Sequence, residues 1–393
     1  MATAETVLKP DFQSKRRHFI FNDEHDQLRE SIRSFAQKEL APHAEEWEET
    51  TFPDSVFRRM GELGFLGLSY PEEYGGQGGD YYSNIVLAEE IGHSNSGGLA
   101  MGIAVHTDMA TPPIMIFGTE EQKQRYLVPS IKGEKISCLG ITEPDAGSDV
   151  AGIRTTARRV DGGWVVNGSK MFITNGVRAD FIVTAVKTTA QGGHHGISFL
   201  IVDKGPGVEA SKIEKLGWHA SDTALIAFDD VAVPAENLLG EENQGFYLIM
   251  ANFQWERLMM ALGSVGAMQA MFERTLAYAK ERTAFGRPIG SHQVIRHKLA
   301  EIAVRIEAGR DLTYHALRRF VDGADAVPEV TMAKLATQRA AFDTADDCLQ
   351  IHGGAGYMVE YDIERAARDA RLGPIGGGTD EIMKEILGKS FGL

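Results

Sequence analysis

The feature that most constrains the fold is a hydrophobic period that changes twice along the chain. From Asp23 to about residue 130, apolar residues recur at three- and four-residue spacing, the period of a helix with one buried face. Between about 136 and 240 the apolar residues come in short β-branched and aromatic runs, "GWVVNGSKMFIT", "DFIVTAV", "GISFLIVD" and "ALIAFDDVAV". These runs are punctuated by Asp-Gly and Asn-Gly, both hairpin signals. From Gly245 onward the period is helical again. A stretch patterned for a helix cannot enter a sheet without turning half its apolar side chains to water. The chain therefore predicts an α+β multidomain protein: an N-terminal α-helical domain (1–135), a middle antiparallel β-barrel or sandwich (136–243) and a C-terminal four-helix-bundle domain (244–393).

Local signals refine this. "NDEHDQLRESIRSFAQKELAPH" opens with Asn22 or Asp23 as N-cap, and further helices are expected near 54–64, 80–92 and 98–117. Three long amphipathic helices, about 245–282, about 291–321 and from near Pro328 to "HGGAG", have short connections and predict antiparallel packing. The formal net charge of −15 argues against a general nucleic-acid binder and leaves small ligands or protein partners, although local basic spots could hold a phosphorylated ligand. Cys138 and Cys348 are too far apart in sequence to form a disulfide framework, which fits a reducing compartment. No apolar run reaches membrane-spanning length, and the first residues lack the apolar core of a signal peptide. Their early acidic residues do not suit a transit peptide either. The expectation is a soluble cytoplasmic protein with no membrane span.

Several motifs fail on inspection. "GWVVNGSK" at 163–170 approaches a phosphate-binding loop, but its last two residues are reversed and a hairpin stands where a helix should begin. No GxGxxG follows a strand, so a dinucleotide-binding unit is unsupported. His194 and His195 have no companions at metal-ligand spacing, and no metal site is expected.

"GITEPDAGSD", residues 140–149, is different. It places two hydroxyls and three acids on a flexible turn where the helical region passes into the β region. Alone it reads as a solvated polar loop. It is accompanied by "KMFITNG" at 170–176, "RTAFGRPIGSHQ" at 282–293 and "QIHGGAGYMVEYDIERAARD" at 350–369. In order and spacing these segments resemble the acyl-CoA dehydrogenase family, from about residue 20 to the C-terminus. "EENQGFYLIM", "QWERL" and "GGTDEIMKEIL" look most like its long-chain and isovaleryl branch.

The resemblance implies FAD bound between the β domain and the bundle, an acyl-CoA substrate oxidised to the trans-2-enoyl-CoA, and electrons passed to an electron-transferring flavoprotein. It also implies a homotetramer. Carried over residue by residue, the backbone of Leu139 and Ile141 and the hydroxyl of Thr142 would contact the flavin. Phe172 would cover it and Thr174 would bond to it. Arg282, Phe285 and Gln293 would reach the FAD of a neighbouring subunit, with Gln350 and Gly354 lining it. Thr379 and Glu381 match a final flavin-contacting pair, although a carboxylate at 381 cannot donate as an amide would. Ser148 would meet the nucleotide-bearing arm of the acyl-CoA.

The chemistry needs a carboxylate base for a weakly acidic α-hydrogen and donors for a carbonyl oxygen that becomes enolate-like. Most of the family places the base two residues before the final Thr, and here that position is Gly377. Either the chain is inactive or the base lies elsewhere. On a helix through "ANFQWERLMMALG", Glu256 shares a face with Ile249, Phe253, Met260 and Gly263. None of its neighbours one turn away is cationic, and Arg257, adjacent in sequence, points elsewhere. An unpaired carboxylate on an apolar stripe suits a base with a raised pKa; a misphased helix or a distant Arg partner would make it an ordinary glutamate. In the long-chain and isovaleryl branch the base sits on this helix in an "ERL" context. Arg257 would correspond to an arginine near the CoA arm, or else form a surface salt bridge. Gly377 would keep its backbone N–H for the thioester oxygen, and Gly376 and Gly377 together would leave room for a medium- or long-chain, or a branched, acyl group. Two other readings stand: an acyl-CoA oxidase or related flavin oxygenase, and a non-catalytic CoA-binding scaffold.

Overall fold

The computed structural model describes residues 18–189 and 193–393; the expectation about a leader concerns residues almost wholly outside them. The chain has a three-domain architecture of helices, a β domain and a helical domain. Asn22 caps α1 (Asp23–Phe35), accepting from His25 N while the His25 ring accepts from Asn22 N. The helix then widens through a π-helical stretch, Ala36–Leu40, and breaks at Pro42, so the single expected helix becomes several pieces. The elements α2 (Ser55–Glu62), α3 (Tyr81–Glu90) and α4 (Gly97–Ala104) follow. The chain continues from α4 into a second widened turn, Val105–Ala110, and a short helix, Pro112–Phe117.

In the β domain, β1 is Ser137–Gly140, β2 Thr156–Val160, β3 Gly163–Thr174, β4 Phe181–Lys187, β5 Ile197–Asp203, β6 Val208–Lys212, β7 Thr223–Pro234 and β8 Leu238–Leu239. They order as β6-β7-β3-β2-β4-β5-β8, with β1 alongside β4. Pairing is antiparallel except for β1 with β4 and the single register pair Thr156–Lys187 joining β2 to β4. That one pair is the seam between two halves. Trp164, Val166, Ile226 and Phe228 from one half pack with Ile182, Val186, Leu200 and Val202 from the other, giving a sandwich-like core.

The helical domain is built on α5 (Gly245–Glu281), α6 (Gln293–Val321), α7 (Val327–His352), α8 (Ile363–Ala370) and α9 (Asp380–Ser390), with a small hairpin, β9 (Thr283–Ala284) and β10 (Arg287–Pro288), after α5. The first of the three long helices is not amphipathic. Every residue from Leu258 to Leu262 is buried, as are Trp255 and Glu256. A helix apolar on all sides must run through the interior. Leu248 and Ile249 enter the core beneath the β domain, Trp255 and Leu258 the N-terminal core, and Val265, Met268 and Phe272 the bundle core.

Where α5 crosses α3, backbones touch. A Cβ on Gly266 would collide with the Glu89 carbonyl, whereas one on Gly263, a turn earlier, would meet nothing. Around this crossing the buried Glu89 and Glu90 bind Arg29 and Arg33 of α1, Arg310 of α6 and Tyr314. The contrast between the two glycines is testable by urea unfolding. Gly266→Ala should lose about 1–3 kcal/mol through overpacking. Gly263→Ala should be neutral or gain about 0.5–1 kcal/mol from helix propensity.

Candidate active site

Glu256 lies on the buried face of α5 and is 5% exposed. Burial pushes its carboxyl up to about 8, against the pull of Arg257 and a 2.5 Å hydrogen bond from Asn252 Nδ2. Asn252, one turn earlier, also donates to the Met109 carbonyl, so it is fixed from two sides. Neither Glu256 nor Asn252 forms an ion pair among the described residues.

Arg257 is nearer than helix phase alone suggests. Its guanidinium bends over the Phe253 ring, 5.3 Å from the centroid, and its charge is felt by Glu256. Its Nε donates to the Gly377 carbonyl at 3.1 Å. One residue on, Lys334 of α7 donates to the Gly378 carbonyl at 2.5 Å. Lys334 has no exposed surface, and burial brings its ammonium down to about 8 despite Asp380. Two cations thus hold successive carbonyls of the glycine run, where φ is +62° at Gly377 and +101° at Gly378. Such φ values suit glycine. No acceptor in the described chain meets the Gly377 N–H. Thr379 caps α9, accepting from Ile382 N at 3.3 Å. The Glu381 carboxylate folds back on its own backbone N–H and the Thr379 hydroxyl, which hold it below the usual range.

A cavity of about 170 Å³ opens beside this site. Its α5 wall is Met260, Gly263, Ser264, Ala267 and Met271, the continuation of the Glu256 face. Opposite lie Ala100 and Ala104 of α4 and, in the widened turn, Thr107 to Met109. Asp369 of α8 closes one end: its Oδ1 accepts from Trp218 N at 2.6 Å and its Oδ2 from Gly97 N at 3.0 Å. Burial, reinforced by Glu48, raises it to about 6. One carboxyl therefore ties the three domains together.

On the β domain side, Leu139 and Ile141 lie at the end of β1, and Thr142 and Thr174 are half-buried. Neither threonine hydroxyl has a hydrogen-bond partner among the described residues. Phe172 sits at a register shift between β3 and β7, with φ +63° and 60% of its surface exposed. A bulge of this kind re-aims a side chain, and the left-handed backbone makes it a strained position. Behind the loop, Lys170 is fully buried. It donates to the Ile141 carbonyl at 3.1 Å and to Glu143 at 2.7 Å, and Glu143 also accepts from Arg154 N and Thr155 N. Ser148 is exposed on the loop.

The remaining predicted residues stand apart. Arg282, Phe285, Gln293, Gln350 and Gly354 are all exposed, Phe285 to 95% at the hairpin tip with φ +53°. Glu256 and Arg282 are 26 residues apart around α5, which separates them by about 39 Å of helix. The structure brings Glu256, Arg257, Gly376, Gly377, Thr379 and Leu139 together and leaves this second group on the outer surface. Sequence reasoning missed Lys334, Lys170, Asn252 and Asp369. Lys334 was findable, because it shares a buried stripe with Val330, Thr337, Gln338 and Ala341.

Comparison with known proteins places the whole chain. Family models for the acyl-CoA dehydrogenase N-terminal, middle and C-terminal domains match residues 22–134, 138–231 and 243–392. An acyl-CoA dehydrogenase of Bacillus subtilis is 43% identical over 92% of this chain and 96% of its own. The mitochondrial long-chain specific acyl-CoA dehydrogenase of Sus scrofa is 41% identical over 95% and 87%. The crystal structure of an acyl-CoA dehydrogenase from Geobacillus kaustophilus, 42% identical, superposes with a TM-score of 0.92 over 96% of this chain and all of that one.

Two measurements follow from the buried charges. Because the folded pKa of Glu256 is raised, its contribution to stability is intact below about 4.5 and is lost as pH rises through about 8. The melting temperature of Glu256→Gln should therefore match wild type near pH 4.5 and exceed it above pH 8. For the Lys170–Glu143 pair, Lys170→Met alone should cost about 3–5 kcal/mol, and Lys170→Met/Glu143→Gln less than the sum of the single changes. Equilibrium unfolding of the double-mutant cycle checks this.

Proposed function

We infer the reaction from one premise: the chain belongs to the acyl-CoA dehydrogenase family, whose members are FAD flavoproteins and oxidoreductases acting on acyl-CoA. In our reading it removes the α-proton of a medium-chain, long-chain or branched acyl-CoA with Glu256 and yields the trans-2-enoyl-CoA. The observation that carries this is a buried carboxyl without a salt-bridge partner among the described residues, on the same α5 face as the apolar cavity. Its raised pKa matches a base working near neutral pH.

The chain's other residues have defined tasks in this reading. The cavity takes the acyl chain and excludes water around Glu256, which strengthens every charge interaction there. Gly377 N–H, which meets no acceptor among the described residues, polarises the thioester carbonyl. Arg257 and Lys334 act as positioning residues that keep the glycine run in its left-handed course. Ser148 and the outer end of Arg257 face the CoA arm.

The residues present fit FAD. The unpartnered Thr142 and Thr174 hydroxyls are free to bond it, the backbone of Leu139 and Ile141 to line it, and Phe172 to cover it. Thr379 and Glu381 close the site at the start of α9. When bound, FAD supplies the acceptor for the hydride leaving the β-carbon. Lys170 holds the Ile141 carbonyl, so the strand end keeps its shape without the cofactor.

Arg282, Phe285, Gln293, Gln350 and Gly354 lie on the outer surface, with Arg282 about 39 Å of helix from Glu256. An exposed aromatic at a hairpin tip suits insertion into a second copy, and a homotetramer supplies that copy. Reduced enzyme would pass its electrons to an electron-transferring flavoprotein.

Glu256→Gln should retain its yellow flavin and bind acyl-CoA, yet lose flavin bleaching by at least about a hundredfold, the range of general-base catalysis. In wild type kcat/KM should rise with pH through about 8, and the variant should lack that limb. Normal bleaching by the variant would refute the assignment. Peroxide release that kept pace with turnover would move the chain to an oxidase.

A further inference from the structure

The glycines at 376 and 377 remove side chains beside the thioester, and taken alone they suggest free space for a branch. The structure fills that space from the other side. A Cβ built on Gly377 would fall inside the van der Waals envelope of Met260 Sδ, and one on Gly376 would lie 3.8 Å from Met260 Cε. Met260 follows Glu256 by one helical turn, so its thioether and the carboxyl share a face. It lines the cavity and forms a small apolar cluster with Val105 and Met109, against which Leu139 packs. The proton acceptor, the glycine run and the flavin-facing strand therefore converge around one side chain.

We propose that Met260 determines which substituents the α-carbon of the substrate may carry. Its thioether occupies the volume that an α-methyl group would need, so unbranched thioesters are accepted and 2-methyl-branched ones are disfavoured. This rests on the assignment of Glu256 and Gly377 above. The backbones on either side of the thioether are held in place. The Gly377 carbonyl is tied to Arg257, and the Met260 carbonyl accepts from Gln338 Nε2 at 2.9 Å, which fixes the backbone beneath the side chain. Further along, Ala100, Ala104, Gly263 and Ala267 contribute small side chains to the wall, between larger ones such as Met271 and Trp218. Bulk is thus restricted at the α-carbon.

The test uses the FAD-loaded enzyme and two thioesters of equal main-chain length, one straight and one carrying a 2-methyl group. Met260→Ala should raise the branched-to-straight ratio of kcat/KM by about tenfold or more, the size expected for one methyl in an apolar pocket. The ratio of binding constants, read from the flavin absorbance shift, should move the same way. Met260→Val should shift both ratios in the same direction but less, and it stands in if the alanine variant folds poorly. Met260→Leu, nearly equal in volume, should leave them at wild-type values. Unchanged ratios in Met260→Ala and Met260→Val would overturn the proposal. Failure of the underlying assignment looks different, because Glu256→Gln would then bleach its flavin with the straight thioester as wild type does.

Discussion

The structure depends on one long helix whose middle is buried on all sides. Gly245–Glu281 contributes to the cores of the N-terminal domain, the bundle and the interface under the β sandwich, and to the small cluster at the cavity mouth. From Trp255 to Leu262 only Arg257 is not fully buried, so this stretch has little solvated surface on which to carry charge. Glu256 and Asn252 are consequently the points where its interior course meets the site, and most of the polar groups around them come from other elements. Arg257 reaches out of the same helix, Lys334 comes from α7 and the Met109 carbonyl from the widened turn after α4. The buried crossing at Gly266 keeps α3 and α5 at the close spacing that this arrangement needs.

Several costs are concentrated near the cavity. A carboxyl without an ion-pair partner among the described residues and a lysine with no exposed surface lie beside the glycine run. Asp369 with its raised carboxyl lines the cavity, and Phe172 holds a left-handed backbone on the β-domain side of the site. Each is unfavourable by itself, and the three large cores offset them. Asp369 shows how the fold shares the load. It satisfies two backbone N–H groups from different domains with one side chain, so the end of the cavity and the domain junction are one structure.

Much of this was legible in the sequence. The two changes of hydrophobic period located the β region between helical ones, and a charged residue on an apolar stripe pointed to Glu256. The same stripe reading, applied to "TMAKLATQ", finds Lys334. Helix phase misjudged Arg257, because a long side chain can wrap around the helix where a short one could not. Hairpin signals identify neighbours in sequence only, so the parallel pairing of β1 with β4 left no local trace. Nor could spacing reveal that Met260 fills the place beside Gly377, since the two are brought together only by the packing of α5 against the final loop. The glycines looked like vacant space, and the vacancy had been taken by a residue of another element.

Proton removal by Glu256 is the central claim, and it can be measured without any oxidation. A 3-thia-acyl-CoA has sulfur in place of the β-carbon and cannot lose a hydride there, but its α-hydrogens remain acidic. In deuterated water at pH 8, mass spectrometry of the recovered thioester reports their exchange. Wild-type enzyme should exchange them, and Glu256→Gln should bind the compound with similar affinity while leaving them in place. Equal exchange by the two proteins would contradict the account.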